Sequence, residues 1–150
     1  MRLSTKGEYA CRALLEFSLR YGKNPVRTRV KDIASAQDIP ERFLEQILLN
    51  LKRAGFVRSK KGPTGGYYLA MHPSKIRVAD VIRTMDGPLA PIDCVSATAH
   101  EVCSRESFCG LRWLWKKVRD QVAEILENTT FEDLAVRTIE SKENRQSLGS

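Results

Sequence analysis

A chain of 150 residues, 42% hydrophobic and 29% charged, is large enough to bury one real core and has the composition of an ordinary soluble globular protein. No apolar run approaches the roughly 20 residues that span a bilayer. The opening Met1-Arg2-Leu3-Ser4 leads into an amphipathic pattern rather than the apolar stretch of a secretion signal, so a cytoplasmic protein without membrane contact is expected. The net charge of +7 is unevenly spread: residues 1–80 hold 16 Lys and Arg against 7 Asp and Glu, and residues 81–150 hold 9 against 11. A basic first half points to a polyanionic partner and a slightly acidic second half to another task.

In chain order, Ser4 is a suitable N-cap for a helix running to about Tyr21 and stopped by Gly22, with Ala10, Ala13, Leu14, Phe17 and Tyr21 on its apolar stripe. Cys11 falls inside that pattern and reads as a small core residue. Asn24-Pro25 marks a turn, and a short helix follows from about Val30 to Ala36. Asp38-Ile39 makes a tight turn, Pro40 suits the first position of a third helix, and Gly55 suits its left-handed C-terminal stop. Phe43, Leu44, Ile47, Leu48 and Leu51 form the buried stripe of this third helix, leaving Glu41, Arg42, Glu45, Gln46, Leu49 and Lys52 outward. The period then changes. Phe56–Lys60 and Tyr67–Ala70 read as strands around Lys61-Gly62-Pro63-Thr64-Gly65-Gly66, a hairpin with a basic, glycine-rich tip.

Helix, turn, helix and basic hairpin in that order make a winged helix-turn-helix, whose third helix suits the major groove of duplex DNA. Gln46 can pair bidentately with adenine, Arg42 with guanine, and Glu45 can accept from cytosine. Arg2, Arg27, Arg29, Lys31, Lys52, Arg58, Lys60 and Lys61 read as phosphate contacts, and Gly65 and Gly66 belong to the wing tip of the same interface.

Val78–Met85 is a further short helix ended by Gly87-Pro88. The next stretch, to Phe108, has no clean period and holds Cys94, His100 and Cys103, with Cys109 just beyond it. Three cysteines within 16 residues in a reducing compartment read as a metal or redox site before a disulfide framework. Their spacing lacks the Cys-x-x-Cys knuckles of most structural zinc sites. An iron–sulfur cluster, zinc and a free-thiol switch all remain open on spacing alone. After Gly110 a long helix carries Leu111, Leu114, Trp115, Val118, Val122, Ile125 and Leu126 on one stripe, which suits pairing with a second copy of the chain. Thr129-Thr130-Phe131-Glu132 reads as a capping box opening a short last helix to about Ile139, followed by a polar, mobile tail.

These residues resemble the IscR/NsrR-type iron–sulfur winged-helix repressors of bacteria over about residues 1–140. The resemblance rests on Met1-Arg2-Leu3-Ser4, on Phe43-Leu44-Glu45-Gln46-Ile47, on the wing from Gly62 to Leu69, on the three-cysteine loop and on Thr129 to Leu134. It implies a homodimer that binds an operator in double-stranded DNA. It also implies a cluster, two-iron in preference to four-iron, on Cys94, Cys103 and Cys109. Where one branch of that family has a histidine as fourth ligand, this chain has Arg112, which cannot ligate iron. The nitric-oxide-sensing branch instead uses an acidic residue near the start of the first helix. Glu8 stands there, with His100 as the alternative.

The expected architecture is thus mostly α with a small β-hairpin wing and a long C-terminal dimerisation helix. Residues 1–76 form the DNA-binding domain, 77–110 the connecting helix and sensor loop, 111–141 the dimerisation helices and 142–150 the tail. The expected function is a homodimeric repressor controlled by a cluster, or else a regulator of the same fold using zinc or thiols. No catalytic motif or phosphate loop is present, so neither an enzyme nor a small-molecule substrate is expected.

Overall fold

The computed structural model describes residues 2–149; Met1 of the opening motif and Ser150 of the tail lie outside them. Helix α1 (Thr5–Leu19) starts as expected, with the Ser4 hydroxyl accepting from the Gly7 amide at 2.9 Å. It ends two residues short of Tyr21, capped at Arg20. Tyr21 nevertheless stays against the core and meets His72 edge-on at 5.1 Å.

Helix α2 (Val30–Gln37) stops at Asp38, whose φ of 51° is left-handed. Asp tolerates that region because its short side chain can bond locally. Pro40 is the cap of α3 (Glu41–Arg53) rather than its first helical residue. α3 buries Leu44, Ile47, Leu48 and Leu51. Phe43, expected in that stripe, sits at its edge and is 40% exposed, packed edge-on against Tyr9 at 5.6 Å. Each fully buried leucine contributes about 1.5–3 kcal/mol relative to exposure, and Leu14 of α1 and Leu44, Leu48 and Leu51 of α3 are all fully buried in the one core.

Strands β1 (Val57–Lys60) and β2 (Gly66–Leu69) pair antiparallel from Val57↔Leu69 to Lys60↔Gly66. A single bridge, Thr28↔Tyr67, adds a third strand position before α2. Its two hydrogen bonds run from the Thr28 amide to the Tyr67 carbonyl at 2.8 Å and from the Tyr67 amide to the Thr28 carbonyl at 2.9 Å.

Helix α4 (Val78–Asp86) buries the expected Val78, Val81, Ile82 and Met85. The irregular stretch after it contains one 3-10 turn, Asp93–Val95, and leads into α5 (Gly110–Glu127). Helix α6 (Phe131–Leu148) returns to α1, burying Phe131 and Ala135. Its capping box lies one residue later than expected: Thr130 accepts from the Asp133 amide, and Asp133 accepts from Thr130. α6 also continues far beyond Ile139, through most of the stretch expected as a mobile tail. No breaker precedes Gly149, and a polar segment can be helical without a buried face. The Val78 amide bonds the Thr129 carbonyl and the Phe131 amide the Ile76 carbonyl, fastening the starts of α4 and α6 together.

Candidate nucleic-acid interface and cysteine loop

Residues three and four apart on a helix share a face, so Arg42, Glu45, Gln46 and Leu49 line one side of α3, and all four are exposed. Arg53 continues that side one turn later and is also exposed. The sequence reading missed it although the same 3.6-residue period points to it. Lys52 is exposed beside this face and donates to the Ser59 hydroxyl at 2.7 Å, tying the end of α3 to β1.

Arg27, Arg29, Arg58, Lys60 and Lys61 are all exposed on the wing or the segment before α2, and Lys31 is exposed in the first turn of α2. Arg27 reaches the Thr64 carbonyl at 3.5 Å and so touches the hairpin tip. Gly65 and Gly66 do more than present backbone. A Cβ on Gly65 would strike the Lys60 carbonyl, and one on Gly66 would lie 2.6 Å from the Thr28 carbonyl oxygen. The wing closes only because both lack side chains. Arg2 lines a different recess, with Leu3, Ile82, Asp86, Pro88 and Ala90.

Asp86 joins the two halves. It ends α4 and accepts from the Ser4 amide at 2.9 Å and from the Ser4 hydroxyl. Gly7 leaves room for this carboxylate, since a Cβ there would stand 2.7 Å from Asp86 Oδ2. The start of α1, which carries Glu8, is thereby held to the point where the cysteine loop departs. Burial, with Asp86 adding to it, pushes the Cys11 thiol up to about 11, as expected of an inert packing residue.

Cys94 lies in the 3-10 turn, Cys109 is the N-cap residue of α5, and Cys103 is exposed between them; all three are free thiols. As donors they are soft and suit iron–sulfur chemistry. Among the described residues, however, no three Cys, His, Asp or Glu side chains are gathered closely enough to hold a metal. Glu8 is exposed and pairs with Arg12 at 3.7 Å. Arg12 also donates to the carbonyl of Gln37, the last residue of α2, and lies 5.4 Å over the Tyr9 ring.

The loop is organised by Glu106. Its Oε1 is 3.1 Å from His100 Nε2 and 2.8 Å from Arg112 Nη2. Partial desolvation opposes the Glu106 charge, but the His100 hydrogen bond and charge, the Arg112 guanidinium and the Cys103 backbone outweigh it and hold its carboxyl below the ordinary value. Arg112, already set aside as an iron ligand, therefore has a structural part in this node. Its Nε is buried with no hydrogen-bond partner among the described residues.

α5 lies on α4, with Arg83 joined to Glu127 at 2.5 Å. Every residue of α5 keeps some solvent exposure, and Leu111 (62%), Leu114 (42%) and Ile125 (63%) leave much of the expected stripe uncovered. Among the described residues no helix is long and apolar enough to cross a membrane.

The profile of the Rrf2 family, described as an iron-dependent transcriptional regulator, matches residues 3–137. The chain is 38% identical over 138 residues to the HTH-type transcriptional regulator CymR of Bacillus subtilis (strain 168), covering 92% of each. The solved structure of CymR, described as the global cysteine regulator of B. subtilis, matches with a TM-score of 0.78 and 36% identity, over 91% of this chain and 98% of that one. The structure of T. potens IscR is similar at a TM-score of 0.74 and 31% identity, over 94% and 90% of the two chains.

Proposed function

The chain belongs to the Rrf2 family of transcriptional regulators, and we propose that it is a homodimeric repressor whose affinity for its DNA operator is set by an iron–sulfur cluster. Cys94, Cys103 and Cys109 would hold the cluster, two-iron in preference to four-iron, and Glu8 of the partner subunit would complete it. The observation that carries this reading is the presence of three free thiols on one loop, between the helix fastened to α1 and the exposed stripe of α5. Bound there, a cluster would supply reactivity toward oxidants or nitric oxide through its iron and sulfide, beyond the thiol chemistry of the cysteines alone.

Glu8 is favoured over His100 because His100 is already engaged by Glu106, whereas Glu8 is exposed and held only by a long ion pair. A carboxylate is a harder donor than a thiolate and leaves iron more readily, which suits a sensor. The Glu8 helix also carries Arg12, which bonds the last residue of α2 just before the turn into α3, so a change at Glu8 has a short path to α3. The uncovered α5 stripe supports the dimer, since an apolar face of that length needs a partner. Two-fold symmetry would then present two copies of α3 to two half-sites. Arg42, Glu45 and Gln46 would read bases, while Arg2, Arg27, Arg29, Lys52, Arg58, Lys60, Lys61 and the Gly65-Gly66 tip would approach the backbone.

A second reading is a regulator of the same fold that uses its thiols, or zinc, without a cluster. Its thiol form is favoured by the ungathered cysteines and by the description of CymR as a cysteine regulator. Purification without oxygen separates the two. The cluster reading expects a coloured protein with iron and acid-labile sulfide, both lost in a Cys103→Ser variant. A colourless protein with titratable thiols supports the second.

A further inference from the structure

Tyr68 stands in a row of cations on the outward face of the wing. Arg58 is its partner across β1. On the other side of β2, the antiparallel bridge Thr28↔Tyr67 places Arg27 across from Tyr68, because paired residues step in opposite directions. Alternation puts Lys60 on the same face as Arg58. Pro25, Arg27, Lys60 and Tyr68 accordingly line one recess of about 270 Å³. The opposite face carries Thr28, which is buried, and Tyr67, which packs on the core.

Among the described residues, no ion pair engages Arg27, Arg58 or Lys60. Among the same residues the Tyr68 side chain is likewise without a hydrogen bond or ring contact. Like charges arrayed across a sheet face are destabilising. A phenol flanked by cations on both neighbouring strands is therefore an arrangement that an anion would relieve.

We propose that this face is a phosphate subsite of the DNA interface, in which the Tyr68 hydroxyl donates to a backbone phosphate oxygen while Arg27 and Lys60 neutralise its charge. The inference rests on the DNA-binding reading and adds Tyr68 to it. The two long cations supply affinity, and the rigid phenol supplies position, since a directional donor sets where along the backbone the wing sits. The phosphate is that of duplex DNA, because the recess continues the basic face of the wing.

Binding to a non-operator duplex, followed by fluorescence anisotropy across a salt series, tests this apart from base reading and cluster control. Tyr68→Phe should weaken binding roughly three- to tenfold and leave the salt slope unchanged, because a neutral hydroxyl displaces no counterion. Arg27→Ala and Lys60→Ala should each lower the slope by about one. Tyr68→Phe should also cost less in an Arg27→Ala background than alone, as expected of neighbours sharing one phosphate. An unchanged melting temperature for Tyr68→Phe shows that the wing is still folded; should it fall, Tyr68→Trp, which restores a ring and a donor, must recover both folding and affinity. Duplex affinity indifferent to Tyr68 overturns the inference. So does stabilisation of the wild type by inorganic phosphate that needs Tyr68 while duplex binding does not, because the recess would then take a free anion. A wild-type chain that binds no duplex overturns the DNA-binding reading with it.

Discussion

Replacing Gly66 by alanine should open the wing, and the cost can be set against Gly55, which also has positive φ but has open space where a Cβ would stand. Gly66 has φ of 144° and Gly55 φ of 86°, so both occupy backbone that an L side chain rarely adopts. Strain of that kind costs about 1–3 kcal/mol. Around Gly55 nothing lies within 4 Å of a Cβ, whereas at Gly66 the Cβ would stand 2.6 Å from the Thr28 carbonyl oxygen. That atom is backbone and is itself half of the Thr28–Tyr67 bridge, so relief means breaking two hydrogen bonds of 2.8 and 2.9 Å. At about 1 kcal/mol net for each bond, Gly66→Ala should cost about 2 kcal/mol more than Gly55→Ala. Urea unfolding of the two variants measures the difference, and thermal melting should show a gap of about 4–8 °C at this chain size. Non-operator duplex affinity should fall further for Gly66→Ala, because Arg27 and the hairpin lose their common frame. Equal losses for the two variants would refute the reasoning, since the bridge would then place no demand on residue 66.

Three further outcomes follow from the same geometry. Gln46→Ala should erase about 1–3 kcal/mol of discrimination between the operator and a base-substituted duplex while leaving the salt slope intact; a lowered slope with discrimination preserved would make Gln46 a solvated bystander. Asp133 is held below the ordinary carboxylate value of 3.8 by the Thr130 amide and then its hydroxyl. Its stabilisation is present above 3.8 and is lost as pH falls through the lower folded value, so Asp133→Asn should flatten stability across that acid range and lower the melting temperature at neutral pH. Ile125→Asp should yield a folded monomer by analytical ultracentrifugation, because the residue is 63% exposed in the single chain; an unchanged sedimentation coefficient beside a dimeric wild type would place the interface elsewhere.

The DNA-binding half was legible because its signals are local. Asp38, Gly55 and the four buried residues of α3 follow from turn chemistry and a 3.6-residue period, and the hairpin from its glycines. Phe43 shows where such reasoning stops: its position on the helical wheel marks it as marginal, and only Tyr9, 34 positions earlier, determines how it packs. The Thr28 bridge was invisible for a similar reason. A single paired residue between Pro25 and a helix has no period to detect. The end of α6 was missed because a polar, solvent-exposed helix lacks the apolar stripe that announces one.

The cysteine loop was legible only as an inventory of donors. Nothing in the spacing of Cys94, Cys103 and Cys109 foretells that Glu106 would draw in both His100 and Arg112. Ion pairs six positions apart made from an irregular loop follow no helix or strand period, and they decide which side chains remain available as ligands. The same holds for Asp86, whose contact with Ser4 spans 82 positions and brings the start of α1 to the root of the loop.

The most direct test compares one preparation in two states: protein purified without oxygen, before and after its iron is removed by a chelator. Anisotropy with the chain's own promoter fragment at fixed salt then gives both operator affinities. The account predicts a cluster-bearing protein whose affinity changes by about five- to 150-fold on iron removal, the usual span of a coupling between two sites, with Glu8→Ala abolishing the change. Equal affinities in the two states, or a preparation that never holds iron and sulfide, would contradict it.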